Sequence, residues 1–371
     1  MRRVYQIAET RDRKALTEFL VREGQGLLPF VELIADARMA VDEFIDVLGR
    51  ASLEAVLQLS AGTVAGPPHQ GKTGGEVRRH GSQSSVSREF VEASAEALQA
   101  LCARRFDATE LLMLYLDGVH AGGHQVIVAV GVDSQGYKHL LGLAAGATEN
   151  AVVVKGLLED LVARGVTPER PYLFIIDGSK ALRSAITAVF GADSPVQRCR
   201  HHKVENVVGY LPNELKDEVK CVLKAAYRLS AKEGIARLEA QAHWLATQYP
   251  SAAASLREGL EETFTNNRLD LPAKLRRCLG TTNLLESPHA GMRLRTGRVT
   301  RWRDGQMVLR WFAAGYLETE KHFRRIMGYE HLWVLKAKLL ELQELRQEQL
   351  HAPPTVQTDR SAVDCLTAVA A

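Results

Sequence analysis

Two short apolar runs end in the same dipeptide, Leu116-Asp117-Gly118 and Ile176-Asp177-Gly178. A carboxylate where a strand leaves an open α/β sheet sits where such sheets present their ligands. If the two strands are neighbours, both carboxylates face one spot, and like charges that close need a compensating cation. Oxygen donors of this kind suit Mg2+ or Mn2+, which keep positions open for water and phosphate oxygens. A single Asp-Gly is ordinarily only a turn; two in matched settings make a candidate site. A third donor is expected from a helix packed across the sheet. Thr281-Thr282-Asn283-Leu284-Leu285-Glu286-Ser287 offers Glu286 in the first turns of one, where a carboxylate is electrostatically favoured. The same spacing also describes a solvent-facing Glu of a capping box, and the local sequence does not choose between the two.

The elements that must position these residues follow from periodicity. Residues 111–116, 125–132 and 138–143 are predicted strands, the second closed by the turn Asp133-Ser134-Gln135-Gly136, and together they form an antiparallel meander. A helix over 149–164, a strand over 172–176, a helix over 180–190 and a short strand over 196–198 come next. Three antiparallel strands followed by helix–strand–helix–strand is the order of a ribonuclease H-like fold, a three-layer α/β core whose first part spans 111–202. Residues 203–280 read as helical with breaks at Pro212, Pro250 and Pro272, too long for a loop, so an all-α insertion interrupts the core. Helices over 281–350 complete it. There Leu332, Leu335, Leu339 and Leu342 line one face, a stripe expected in the core because it is too short for a coiled coil.

Before the core, residues 1–60 read as a helical amino-terminal region and 61–83 as a linker of Gly, Pro, Ser, Thr and basic residues. Residues 84–110 hold a helix and its lead-in, opening at Ser84-Ser85-Val86-Ser87-Arg88-Glu89. Small hydroxyls followed by Arg suit a recognition helix, which makes Ser85, Ser87 and Arg88 candidates for DNA contact; ordinary helix capping explains the serines as well. Residues 351–371 carry no period and are expected to form a disordered tail.

Composition sets the class. The 371 residues are 46% hydrophobic and 25% charged, the balance of a globular protein. No apolar run approaches the roughly 20 residues that span a bilayer, and Met1-Arg2-Arg3 opens no apolar signal core, so a cytoplasmic protein with no membrane partner is expected. Five scattered cysteines (Cys102, Cys199, Cys221, Cys278 and Cys365) fit a reducing compartment. The net charge of +3 is unevenly spread: from Arg268 to Arg310 ten Lys/Arg stand against three Asp/Glu, a local +7 that leaves 3 − 7 = −4 for the rest. Concentrated positive charge is how a phosphate-tracking surface usually looks, and the alternative is a solvated helix face.

The chain resembles the Mutator-type transposases of bacterial insertion sequences over about residues 84–340. The resemblance rests on Tyr115-Leu116-Asp117-Gly118, Ala129-Val130-Gly131-Val132-Asp133-Ser134-Gln135-Gly136 with Leu141-Gly142-Leu143, and Ile176-Asp177-Gly178-Ser179-Lys180-Ala181-Leu182. It continues through Gln197-Arg198-Cys199-Arg200-His201-His202-Lys203 and Thr282-Asn283-Leu284-Leu285-Glu286-Ser287. Each motif is weak alone; five in order are specific. The resemblance implies an acidic triad of Asp117, Asp177 and Glu286 holding two Mg2+ or Mn2+ ions. Their spacings are 60 and 109 residues, and the longer one contains the family's helical insertion. It further implies cleavage at the ends of an insertion sequence and strand transfer into target DNA, by a homo-oligomer assembled on double-stranded DNA.

The family's Cys-x-x-His motif falls on Cys199 and His202. One Cys and one His are half of a tetrahedral zinc set, and no second pair follows at ligand spacing. Cys199 is therefore expected to pack at the strand end, with His202 lining the site as a catalytic candidate. Lys203, Arg293, Arg295, Arg298, Arg301 and Arg303 are candidate contacts to the DNA backbone, and Trp302 a candidate to stack on an unpaired base, with simple packing the alternative; for Trp311, packing is expected. Two departures stand out. The segment that family members carry before the Ser-Ser-Val-Ser-Arg helix is shortened, as if by an internal loss near Gln83–Ser84, which favours an alternative in which the chain is a non-catalytic DNA-binding regulator. After Glu286 the sequence reads Ser287-Pro288-His289 where the family more often has an aromatic or Met and then Asn; Pro288 either distorts the helix presenting Glu286 or is tolerated early in its first turn.

Overall fold

The computed structural model describes residues 83–351 apart from 122, 147–149, 298 and 300, with side chains described from residue 91 to 348. The helical region expected over 1–60, the linker, and the tail beyond His351 lie outside the described residues.

Helix α1 (Gln83–Ala103) leads into β1 (Leu111–Ala121), β2 (His124–Asp133) and β3 (Lys138–Gly146). Then come α2 (Ala151–Ala163), β4 (Leu173–Ile176), α3 (Lys180–Phe190) and β5 (Val196–Arg198). The strands form one mixed sheet in the order β3-β2-β1-β4-β5. The pairs β1–β2 and β2–β3 are antiparallel, while β4 is parallel to both β1 and β5. Parallel neighbours need crossovers, and α2 and α3 supply them. The hairpin between β2 and β3 turns at Gly136 (φ 85°), with the Asp133 carboxylate accepting from the N–H groups of Gln135 and Tyr137, both at 2.9 Å.

Central strand β1 is covered on both faces, so it reads as a continuous apolar run rather than an alternation. Leu114 and Leu116 pack with Val154, Leu158, Leu161, Leu182 and Ile186 of α2 and α3. Tyr115 and Val119 point the other way, into a core shared with Leu285, Met292, Phe312, Tyr316, Leu332, Leu335 and Leu339. The result is three layers, helix–sheet–helix. The leucine stripe expected in the core is there: Leu332, Leu335 and Leu339 are buried and Leu342 packs against them.

The helices after β5 are α4 (Arg200–Val208), α5 (Asn213–Ala226), α6 (Ala231–Ala246) and α7 (Pro250–Arg257), with a 3-10 turn at Glu261–Phe264. They build a third core of their own from Val204 to Phe264. The prolines expected as breaks are starts as well: Pro212 precedes α5 and Pro250 opens α7, where the missing N–H has no intrahelical partner to lose. Beyond Phe264 come α8 (Thr265–Arg268) and α9 (Ala273–Cys278). There Leu269, Leu271, Leu275 and Leu279 rejoin the sheet's core, so the separately packed module closes well before residue 280. A 3-10 turn (Thr282–Leu285) leads into α10 (Glu286–Thr296), followed by α11 (Gly305–Glu320) and α12 (Leu332–His351).

Candidate functional site

In the parallel pairing of β1 with β4, Leu116 stands opposite Ile176. The next residue on each strand is Asp117 and Asp177, so the two carboxylates lie side by side. β4 ends at Ile176, and Asp177 occupies the strand exit as expected. Asp117 does not: β1 runs on to Ala121, with Gly118, Val119 and Ala121 pairing with Ile127, Val126 and His124. Asp117-Gly118 is thus mid-strand and no turn, because the antiparallel partner β2 outlasts the parallel one.

The Asp177 carboxyl is pushed above the usual carboxylate range, chiefly by burial and further by Asp117, against the pull of the Ser179 N–H, which donates to Oδ1 at 2.9 Å. Gly178 then swings away at φ 109°; a Cβ there would sit 3.0 Å from Arg198 Nε. Only glycine allows both that backbone and that approach.

His202, in the first turn of α4, faces the pair. Its pKa is raised to about 9 by the adjoining Cys199 sulfur and by Asp117 and Asp177, which outweigh burial. Burial raises the Cys199 thiol, yet its bonds with His202 and from the backbone N–H and hydroxyl of Thr282 (3.4 and 3.5 Å) bring it net below its ordinary value. A cationic imidazole beside two carboxylates offsets their repulsion within the fold. His202 Nδ1 is buried with no hydrogen-bond partner, an orphan that a bound water or substrate oxygen would satisfy. Cys199 packs at the end of β5, fully buried, as expected.

Glu286 is the first residue of α10 and is exposed. Among the described residues no group of three His, Cys, Asp or Glu side chains is arranged to hold a metal ion, so Glu286 is not gathered with the two aspartates. Pro288 does not disturb α10: it lies in the first turn, is buried, and the helix runs on to Thr296. The residue that does meet Asp117 is His289, whose Nε2 lies 3.1 Å from Oδ2, while its Nδ1 lies 2.6 Å from the Tyr316 hydroxyl. Neither His289 nor Tyr316 was legible as a site residue. The only signal was His289 standing three residues after Glu286, one turn along the same helix face.

Helices α10 and α11 can approach this closely because Gly291 faces Thr319; a Cβ on Gly291 would lie 2.2 Å from Thr319 Cγ2. Gly291→Val is expected to lower unfolding free energy by about 3 kcal/mol through overpacking, read as a drop in Tm. An unchanged Tm would mean the helices part without strain.

Of the candidate DNA contacts, Arg293, Arg301 and Arg303 are exposed, and Arg295 is half-buried with a bond to Gly291 O at 3.0 Å. Arg298, and the side chains of Ser85, Ser87 and Arg88 on α1, lie outside the described residues. Lys203 is a correction: it is 2% exposed, and its ammonium donates to the carbonyls of Ser255 and Glu258. Trp302 is another. It is half-buried, set edge-on to Trp311 and Phe312 at 6.3 and 6.0 Å, and packs against the core.

The motif from Gln197 to Lys203 is therefore a latch. Gln197 Nε2 donates to Thr263 O at 3.0 Å while its Oε1 accepts from Asn266 N at 3.0 Å. Arg198 donates to Glu258 O at 3.1 Å, and Arg200 donates to Thr263 O at 3.0 Å and to Asn267. Together with Lys203 they fasten the helical module to the sheet beside Asp177.

Fold and site together define an α/β protein with a paired-carboxylate centre and an arginine-bearing helix, α10, next to it. The chain belongs to the Mutator family of transposases: the family described as "Transposase, Mutator family" matches residues 72–325. It is similar to the transposase for insertion sequence element IS6120 of Mycolicibacterium smegmatis, 31% identical over 225 residues, 58% of this chain and 67% of that protein. It is also similar to the transposase for IST2 of Acidithiobacillus ferrooxidans, 29% identical over 174 residues, 47% of this chain and 57% of its relative. The transposase for IS1081 of Mycobacterium tuberculosis is 25% identical over 299 residues, 77% and 70% of the two chains. Among the described residues no helix is long and apolar enough to cross a membrane.

Proposed function

We propose that this chain is a DNA transposase that cleaves the ends of an insertion sequence and transfers them to target DNA, from a ribonuclease H-like core. The observation that carries this reading is the juxtaposition of Asp117 and Asp177, with the acid of Asp177 raised by burial and by its neighbour. Such a pair calls for a cation, and all-oxygen donors select Mg2+ or Mn2+. Asp117 and Asp177 fit that role by donor chemistry; Glu286, exposed at the start of α10 and apart from the two aspartates, is a third carboxylate only by the family resemblance. When bound, two such ions supply an activated water or 3′-hydroxyl and charge relief at the leaving 3′-oxygen.

The chain's own residues prepare the ground for this chemistry. The Ser179 N–H holds one oxygen of Asp177 in place. His202, its pKa raised to about 9, balances the carboxylates, and its Nδ1 is buried without a hydrogen-bond partner. Arg293, Arg301 and Arg303 offer exposed charge to the phosphate backbone of double-stranded DNA, on which a homo-oligomer would bring two element ends together.

The test is cleavage of a duplex carrying the element's terminal repeats, with Mg2+, with Mn2+ and with chelator. Metal-dependent nicking at the repeat ends, lost in Glu286→Gln, is the expected result. Specific binding without cleavage under any metal would instead favour a regulator that occupies element ends.

A further inference from the structure

Asp177 is held by a backbone N–H, whereas Asp117 has a buried side chain behind it. His289 is 6% exposed and Tyr316 is fully buried, so the ring and the phenol are shielded from water. The contacts run in series: Tyr316 hydroxyl to His289 Nδ1 at 2.6 Å, and His289 Nε2 to Asp117 Oδ2 at 3.1 Å. Proton placement follows from what each atom can do. A carboxylate oxygen only accepts, so Nε2 must carry the hydrogen; a neutral imidazole then has a lone pair on Nδ1, and the tyrosine donates to it. Burial pushes the Tyr316 phenol far above its ordinary value, which keeps that proton on the oxygen. In this tautomer both ring nitrogens have a partner, which holds the imidazole in its orientation.

We propose that Tyr316 and His289 form a positioning relay that occupies Oδ2 of Asp117 and turns Oδ1 toward a divalent cation. The proposal rests on the reading that Asp117 is a metal ligand. His289 is a positioning residue in it and no ligand, since the nitrogen nearest the site bears a proton. Outer partners of this type orient a donor group before metal arrives, and their loss weakens metal binding about 10–100-fold.

The experiment is Mn2+ binding to the full chain without DNA, followed by the electron paramagnetic resonance of free Mn2+, with spin-echo spectra of the bound ion. Tyr316→Phe, which removes one oxygen atom, and His289→Ala should each weaken binding about tenfold or more. His289→Gln, whose side-chain amide still has an N–H to donate to Asp117, should recover most of it, and the bound ion should show no directly coordinated nitrogen. Tyr316→Phe carries the test if His289→Ala fails to fold. Wild-type affinity in Tyr316→Phe and His289→Ala, with binding lost in Asp117→Ala, would overturn the relay and leave the metal site standing. A nitrogen signal that vanishes in His289→Gln would also overturn it, by making His289 a ligand. Unchanged binding in Asp117→Ala would remove the metal reading and the relay with it.

Discussion

Asp177→Asn is expected to abolish metal-dependent DNA cleavage while making the metal-free protein more stable. The two effects have one origin. Asp177 is buried beside Asp117, and both circumstances raise its pKa, so the fold disfavours the charge that metal chemistry needs. Asparagine keeps an oxygen for the Ser179 N–H and removes that charge. Relief of this kind at a functional site is worth on the order of 1 kcal/mol, or a few degrees in Tm. The sign with pH follows. A folded-state pKa above the unfolded value means the folded carboxyl holds its proton more tightly. Metal-free wild type should therefore be more stable below the ordinary carboxylate range and lose that advantage as pH rises through the raised pKa; the asparagine variant should not.

Cleavage should respond in the opposite sense. Charge stabilisation by a bound metal is worth several kcal/mol at the transition state, so losing a donor carboxylate should reduce the rate on the order of 10³-fold or more. Metal should raise the Tm of wild type by ligand linkage and leave that of Asp177→Asn nearly unchanged. Single-turnover cleavage and thermal melts with and without Mn2+ read both effects on the same preparations. Equal cleavage by the two proteins would take Asp177 out of the site.

What the sequence made legible was what is local. Strand runs, the hairpin turn at Gly136 and the start of α3 after Asp177-Gly178-Ser179 follow from patterns a few residues long, and the sheet contains them. The Asp177 setting was legible because β4 ends where its apolar run ends. Asp117 was placed at a strand end because Asp-Gly is a turn signal; β2, pairing through Ala121, overrides it. His289 lies 172 residues from the carboxylate it touches, and no periodicity reports such a contact. Tyr316 sits in an apolar stripe, where a hydroxyl does not announce its use. Glu286 shows the converse limit: its motif is recognisable, but α10 starts on it and leaves it exposed.

Lys203 is the sharpest departure, and it yields the second large effect. In a basic run after Arg200, His201 and His202 it reads as a DNA contact, yet its partners are carbonyls 52 and 55 residues further on. Burial, with Arg198 adding to it, lowers its pKa from 10.5 to about 8. Lys203→Met should leave two buried carbonyls unsatisfied and destabilise the protein by about 2–4 kcal/mol near neutral pH. The gap should widen as pH rises from 8 toward 10.5. In that window the unfolded lysine holds a proton the folded one has released, so wild-type stability gains relative to methionine. DNA binding should separate the two kinds of basic residue. Arg301→Ala and Arg293→Ala should each flatten the dependence of log affinity on log salt by about 0.9, while Lys203→Met should leave it unchanged. A flattened slope with an unaltered Tm in Lys203→Met would put that ammonium on the phosphate backbone and dissolve the latch.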